Sequence, residues 1–142
     1  GLGAPHWKPD ATGLITGLTR STTKAHIMRA ALSAIAFQSN DIIECLQREC
    51  PNLHLNVMRV DGGAANNAWL MQFQSDISNI KIERPQSTEA TALGAALCAA
   101  QFTNVWHPFS PTVDQSFSPK MSTDATRTLL NQWQQALGLA IS

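Results

Sequence analysis

The sequence predicts an α/β fold. Short apolar runs alternate with segments of helical periodicity between residues 14 and 100, which implies an α/β layer with some parallel pairing. Breakers fall between those runs, with Pro51 after a helix pattern, Gly62-Gly63 after a strand pattern and Pro85 after another. With 142 residues, 44% of them hydrophobic, the chain is long enough for one domain with a core of its own.

Residues 1–12 hold Gly1, Gly3, Pro5, Pro9 and Asp10 and are expected to form a loop. Leu14 to Leu18 is a strand candidate. A long helix should follow, capped by Ser21 or Thr22. Ala25, Met28, Leu32, Ile35, Ala36, Ile42, Ile43 and Leu46 mark its period, and Pro51 lies just past its end. Leu53–Val60 is the next strand. Residues 66–78 form a helix with Leu70, Phe73 and Ile77 on one face. Ile80–Arg84 is a strand stopped by Pro85. Thr88 caps a helix running through Leu93, Leu97 and Ala100, rich in Ala and carrying Gly94, so a close neighbour is expected there. Residues 103–122, with Pro108, Pro111 and Pro119 among Ser and Thr, are expected to form a surface connection. Ser122 caps a last helix bearing Leu129, Leu130, Trp133 and Leu137, with Gly138 as its expected end.

Composition narrows the function. Ten basic and ten acidic residues cancel, and no Lys/Arg cluster points to nucleic acid or an anionic membrane. No apolar run approaches the roughly 18 residues needed to span a bilayer. Cys45, Cys50 and Cys98 form no regular pattern, which argues against a disulfide framework and points to a reducing cytoplasm. Cys50 and His54 lack the second pair a zinc finger requires, so no metal site is assigned. The chain begins at Gly1 and ends in Ala140-Ile141-Ser142, so it is expected to be a piece of a longer protein.

The stretch with most chemical content is Val60-Asp-Gly-Gly-Ala-Ala-Asn-Asn67. A glycine pair at the end of a strand lets backbone approach a ligand where a Cβ would collide. The helix behind it offers unpaired N–H groups and a positive dipole end. The same residues also suit an ordinary turn. His6, His26, His54 and His107 are scattered and have no evident nucleophile partner, and no Gly-x4-Gly-Lys-Ser/Thr motif occurs. Trp7, Trp69, Trp106 and Trp133 are expected to anchor packing.

Four segments make the chain similar to a known family. They are Gly1–Trp7, Gly13–Arg20 with His26-Ile27 and Ala30-Ala31-Leu32, Arg59–Gly63 running into Leu70–Ile77, and Glu83-Arg84-Pro85 with Glu89 and Thr91–Ala96. Taken in order, these resemble the C-terminal part of the FGGY carbohydrate kinases, and within that family the glycerol branch. Phe117, Pro119, Trp133 and Ala136 extend the resemblance nearly to the end. Ser33 stands where the pattern has an acid or amide, and Ala68 where a second Asn is common.

The resemblance implies part of an actin-like, ribonuclease H-like ATPase domain: a short mixed sheet packed with helices, incomplete without an N-terminal domain. It implies ATP and Mg2+ as cofactors and glycerol as phosphoryl acceptor. Other sugar kinases of the family, acting on xylulose or gluconate, and a non-enzymatic nucleotide-binding relative are the alternatives. By position, Gly63 and Asn67 match nucleotide contacts, and the resemblance implies that Gly62 and Gly63 let backbone lie against the nucleoside and α-phosphate. Asn67 equally suits a helix cap. The family's catalytic Asp belongs to the N-terminal part, so none of Asp10, Asp41, Asp61, Asp76, Asp114 or Asp124 is assigned that role, and the chain alone is expected to be inactive. A short sheet with an open edge implies a homo-oligomer.

Overall fold

The computed structural model describes residues 1–87, 89–103, 105 and 112–141. In order, the elements are α1 (Lys24–Glu49), β1 (Val57–Arg59), a 3-10 helix (Gly63–Asn66), α2 (Ala68–Ser78), β2 (Lys81–Pro85), α3 (Ala90–Phe102), β3 (Val113–Phe117) and α4 (Thr123–Ile141). The sheet has the order β1-β2-β3. β1 runs parallel to β2, with Val57 opposite Lys81 and Arg59 opposite Glu83. β3 is antiparallel to β2, with Ile82 opposite Phe117 and Arg84 opposite Gln115. The mixed sheet packed with helices agrees with the fold class read from the sequence.

The core lies where α1 and α2 meet β2. Phe37 from α1, Leu70, Phe73 and Ile77 from α2, Ile82 from β2 and Phe117 from β3 form one buried cluster. Removing such side chains from water is the main stabilising term, about 25 cal/mol per Å² of apolar surface. Phe37 meets Phe73 edge-on with centroids 5.6 Å apart and stacks on Trp133 of α4 at 5.3 Å. Trp69 stacks on Phe73 at 5.0 Å. Trp69 and Trp133 are thus packing anchors, whereas Trp7 is 74% exposed. Trp106 lies outside the described residues, as do Thr88, His107, Pro108 and Pro111.

Helix boundaries follow local chemistry. α1 is capped by Thr23, one residue later than expected, and the His26 Nδ1 accepts the Thr23 N–H at 3.1 Å. α2 ends at Asn79, whose φ of 53° is left-handed. The Ser122 hydroxyl accepts the Ala125 N–H at 3.3 Å, the expected cap of α4.

Several expectations are corrected. Leu14–Leu18 forms no strand, because no described strand runs beside it to pair with. β1 is confined to Val57–Arg59, because its partner β2 begins only at Lys81 and residues 53–56 have no described strand to pair with. The 103–122 stretch is not all surface connection: Val113–Phe117 forms β3 and buries Phe117. Gly138 does not end α4, which continues to Ile141. Gly94 has no close neighbour, since a Cβ there would meet nothing within 4 Å, and no residue of α3 is buried.

Candidate functional site

The parallel pair β1–β2 ends at a loop. The Val60 N–H donates to the Glu83 carbonyl at 3.1 Å, extending the ladder by one bond, and the chain then leaves the sheet through Asp61, Gly62 and Gly63. The carboxyl ends of parallel strands are where α/β sheets place ligands. Gly62 has φ 79° and ψ 173°, a conformation only glycine adopts freely. Among the described residues a Cβ on Gly62 or Gly63 would meet nothing within 4 Å, so the space above both is open there.

The loop then tightens into the 3-10 helix. The Ala65 N–H donates to the Gly62 carbonyl and the Asn67 N–H to the Ala64 carbonyl, both at 3.1 Å. Asn67 closes the turn and starts α2: its Oδ1 accepts the Leu70 N–H at 3.1 Å. Of the two roles open to Asn67 in the sequence, capping is therefore occupied. Its NH2 makes no hydrogen bond among the described residues, and the side chain is exposed. Gly62, Gly63 and Asn67 thus share one loop, with Gly63 and Asn67 separated by a single turn.

Two charged clusters flank this loop. Arg84, at the end of β2, donates to the Ala65 carbonyl at 3.3 Å, to Asp114 Oδ2 at 2.7 Å and to Gln115 Oε1 at 2.9 Å. Glu83 takes the Lys81 ammonium at 2.7 Å and lies 3.7 Å from Arg59. The Lys81 hydrogen bond, above all, holds the Glu83 carboxyl below the usual carboxylate range, with smaller electrostatic contributions from Lys81 and Arg59. Beside the loop opens a cleft of about 520 Å³ between Arg59-Val60-Asp61 and Pro85-Gln86-Ser87, with Ala90 and Leu93 of α3 on its wall. Gly62, Gly63 and Asn67 border this cleft in sequence but are outside its wall.

Four of the six aspartates, Asp41, Asp76, Asp114 and Asp124, have structural partners. Asp41 is 5% exposed and accepts from His6 Nε2 at 3.0 Å, Trp133 Nε1 at 2.9 Å and Gln134 Nε2 at 3.1 Å. Asp76 accepts the Lys120 N–H at 2.7 Å and the Met121 N–H at 3.3 Å. Asp114 pairs with Arg84, and Asp124 with Arg127. The partner of His6 is thus a structural carboxylate and not a nucleophile, a contact the sequence did not disclose because 35 residues separate the two. Arg84 was also missed as a site element: its motif was visible, but its reach to Ala65 depends on tertiary geometry. Among the described residues, no three His, Cys, Asp or Glu gather as a metal-binding group. No described helix is long and apolar enough to cross a membrane.

Residues 1–101 match the FGGY family of carbohydrate kinases, C-terminal domain. Over 147 aligned residues the chain is 48% identical to glycerol kinase of Borreliella burgdorferi (strain ZS7), covering 100% of this chain and 29% of that protein. It is 44% identical to glycerol kinase of Saccharolobus islandicus (strain M.14.25 / Kamchatka #1), covering 99% of this chain and 29% of that protein. The structure superposes on the crystal structure of Plasmodium falciparum glycerol kinase with ADP, with a TM-score of 0.86, 36% identity, and coverage of 100% of this chain and 29% of the other. The chain thus spans less than a third of the length of the relatives it matches.

Proposed function

The chain belongs to the FGGY family of carbohydrate kinases, and from that membership we propose that it is the nucleotide-side, C-terminal part of a glycerol kinase. The complete polypeptide would transfer the γ-phosphoryl of ATP to the 3-hydroxyl of glycerol, releasing ADP and sn-glycerol 3-phosphate. The observation that carries this reading is the Asp61-Gly62-Gly63 loop. It leaves the carboxyl ends of two parallel strands in a chain similar over its whole length to glycerol kinases.

The residues present fit a nucleotide. The open space above Gly63 lets its backbone lie against the nucleoside and α-phosphate, where a larger side chain would intrude. The Asn67 side-chain oxygen is engaged by the Leu70 N–H, so its NH2 is the group left to donate to the adenine edge. ATP supplies the transferred phosphoryl group, and Mg2+ would enter with the triphosphate, as it does where one or two protein carboxylates suffice. This chain contributes binding and orientation. Glycerol and the catalytic Asp are assigned to the N-terminal domain, as the resemblance implies. Closure of two such domains would exclude water from the phosphoryl group. A cytoplasmic, homo-oligomeric enzyme completes the proposal.

The test is glycerol-dependent ADP release. The complete polypeptide should turn over at an ordinary kinase rate, about 1–100 per second, and the 142-residue chain alone should not turn over. Turnover by the chain alone, or none by the complete polypeptide with any polyol, would overturn the reading.

A further inference from the structure

We propose that Arg84 is the positioning residue of the nucleotide loop, fixing the Gly62-Gly63 backbone without itself touching the ligand. The inference rests on the reading of Gly62 and Gly63 as nucleotide contacts. The loop is held at both ends by two consecutive residues of β2. Upstream of the glycines, the Glu83 carbonyl takes the Val60 N–H at 3.1 Å. Downstream, the Arg84 guanidinium donates to the Ala65 carbonyl at 3.3 Å. The four residues between those anchors, 61–64, have no other support from the sheet among the described hydrogen bonds.

Arg84 is suited to this task by its surroundings. Its side chain is only 16% exposed, and its second fork nitrogen is fixed by Asp114 and Gln115 of β3. The pairing register shifts between Arg84 and Pro85, and such irregularities re-aim side chains at the end of a strand. The target is also apt. Ala65 is 1% exposed and lies near the end of the 3-10 helix, where carbonyls lack helical partners and favour a cation. A lysine could supply the charge but not a planar fork that reaches Ala65 and β3 together.

The experiment uses the complete kinase polypeptide and ADP binding by calorimetry, with Arg84→Lys, Asp114→Asn and Gly63→Val. Arg84→Lys should raise the ADP Kd on the order of tenfold, in line with the cost of small misplacements. Its KM for ATP should rise in parallel while its KM for glycerol stays unchanged. Asp114→Asn, at a position 47% exposed and so readily accommodated, should raise the ADP Kd about threefold by loosening the fork. Gly63→Val tests the loop itself: if it leaves the ADP Kd unchanged, the nucleotide reading fails. If Gly63→Val weakens ADP while Arg84→Lys and Asp114→Asn both bind it as the parent does, the positioning role alone is overturned. Should Arg84→Lys not fold, Asp114→Asn decides.

Discussion

The side-chain oxygen of Asn67 accepts the Leu70 N–H at 3.1 Å, so the residue proposed to contact the nucleotide is also the cap of α2. The two roles use different atoms and can be separated. Asn67→Asp keeps the capping oxygen, and its negative charge suits a helix N-terminus, so stability should hold. The same change removes the NH2 donor, so ADP affinity should fall about tenfold, the size of one such bond. Asn67→Ala should lose both, with about 1 kcal/mol of stability. Denaturant melts and ADP titrations of both variants check this. An aspartate variant with parental ADP affinity would leave Asn67 as a cap alone.

The neighbouring glycines should respond in opposite ways. Gly62 has φ 79°, so Gly62→Ala should cost roughly 1 kcal/mol or more of stability even though its Cβ would meet no atom. Gly63 has no such constraint and equally open space, so Gly63→Ala should fold with parental stability. Its effect should appear only when ADP is added. Equal thermal shifts for the two variants would contradict this assignment of backbone strain.

α2 was legible in the sequence because burial repeats along it: Leu70, Phe73 and Ile77 line one face, as their spacing requires. β3 was hidden because only Phe117 of Val113–Phe117 is buried, leaving no alternation to read. Leu14–Leu18 misled for the opposite reason, since its apolar residues have strand character but a strand exists only with a partner. The Gly62-Gly63 pair could be nominated from local sequence, and Asn67 only through the family resemblance. Arg84 could not, because its link to Ala65 crosses 19 residues and depends on the sheet register. The Asp41 contacts, 35 to 93 residues distant, were equally out of reach.

Asp41 joins three segments through one buried carboxylate. His6 from the N-terminal loop and Trp133 and Gln134 from α4 all donate to it. Asp41→Ala should leave these donors without their acceptor and cost roughly 3 kcal/mol, within the range for removing one partner of a buried polar network. Chemical denaturation gives the measurement. A loss below about 0.5 kcal/mol, the level of an ordinary surface substitution, would show that the network contributes little.

The Glu83 cluster predicts a specific acid sensitivity. Lys81 and Arg59 hold the folded Glu83 carboxyl below its ordinary value of 4.5. Its contribution to stability is therefore fully present above that value and is lost as pH falls through the lower folded value. The partners are exposed, Arg59 at 68% and Lys81 at 42%, and solvent screening on their side keeps the contribution small. Glu83→Gln should reduce the stability of the chain at neutral pH and flatten its decline between neutral and acid pH. Parallel stability–pH curves for the two proteins would contradict this.

Association is predicted from two uncovered surfaces. α3 buries none of its residues, and Phe102 at its end is 89% exposed. β1 pairs on one side with β2 and has no described strand on the other, with Val57 42% exposed. Open strand edges recruit further strands, and apolar patches recruit apolar partners. The isolated chain should therefore self-associate, its scattering mass rising with concentration. Val57→Lys places a charge on the edge, a device that blocks strand addition, while Phe102→Glu removes the largest exposed apolar group of α3. If edge pairing dominates, Val57→Lys should return the mass to that of the monomer and Phe102→Glu should not; the reverse result would assign the contact to α3. A monomeric mass for the parent chain at every concentration would exclude both routes.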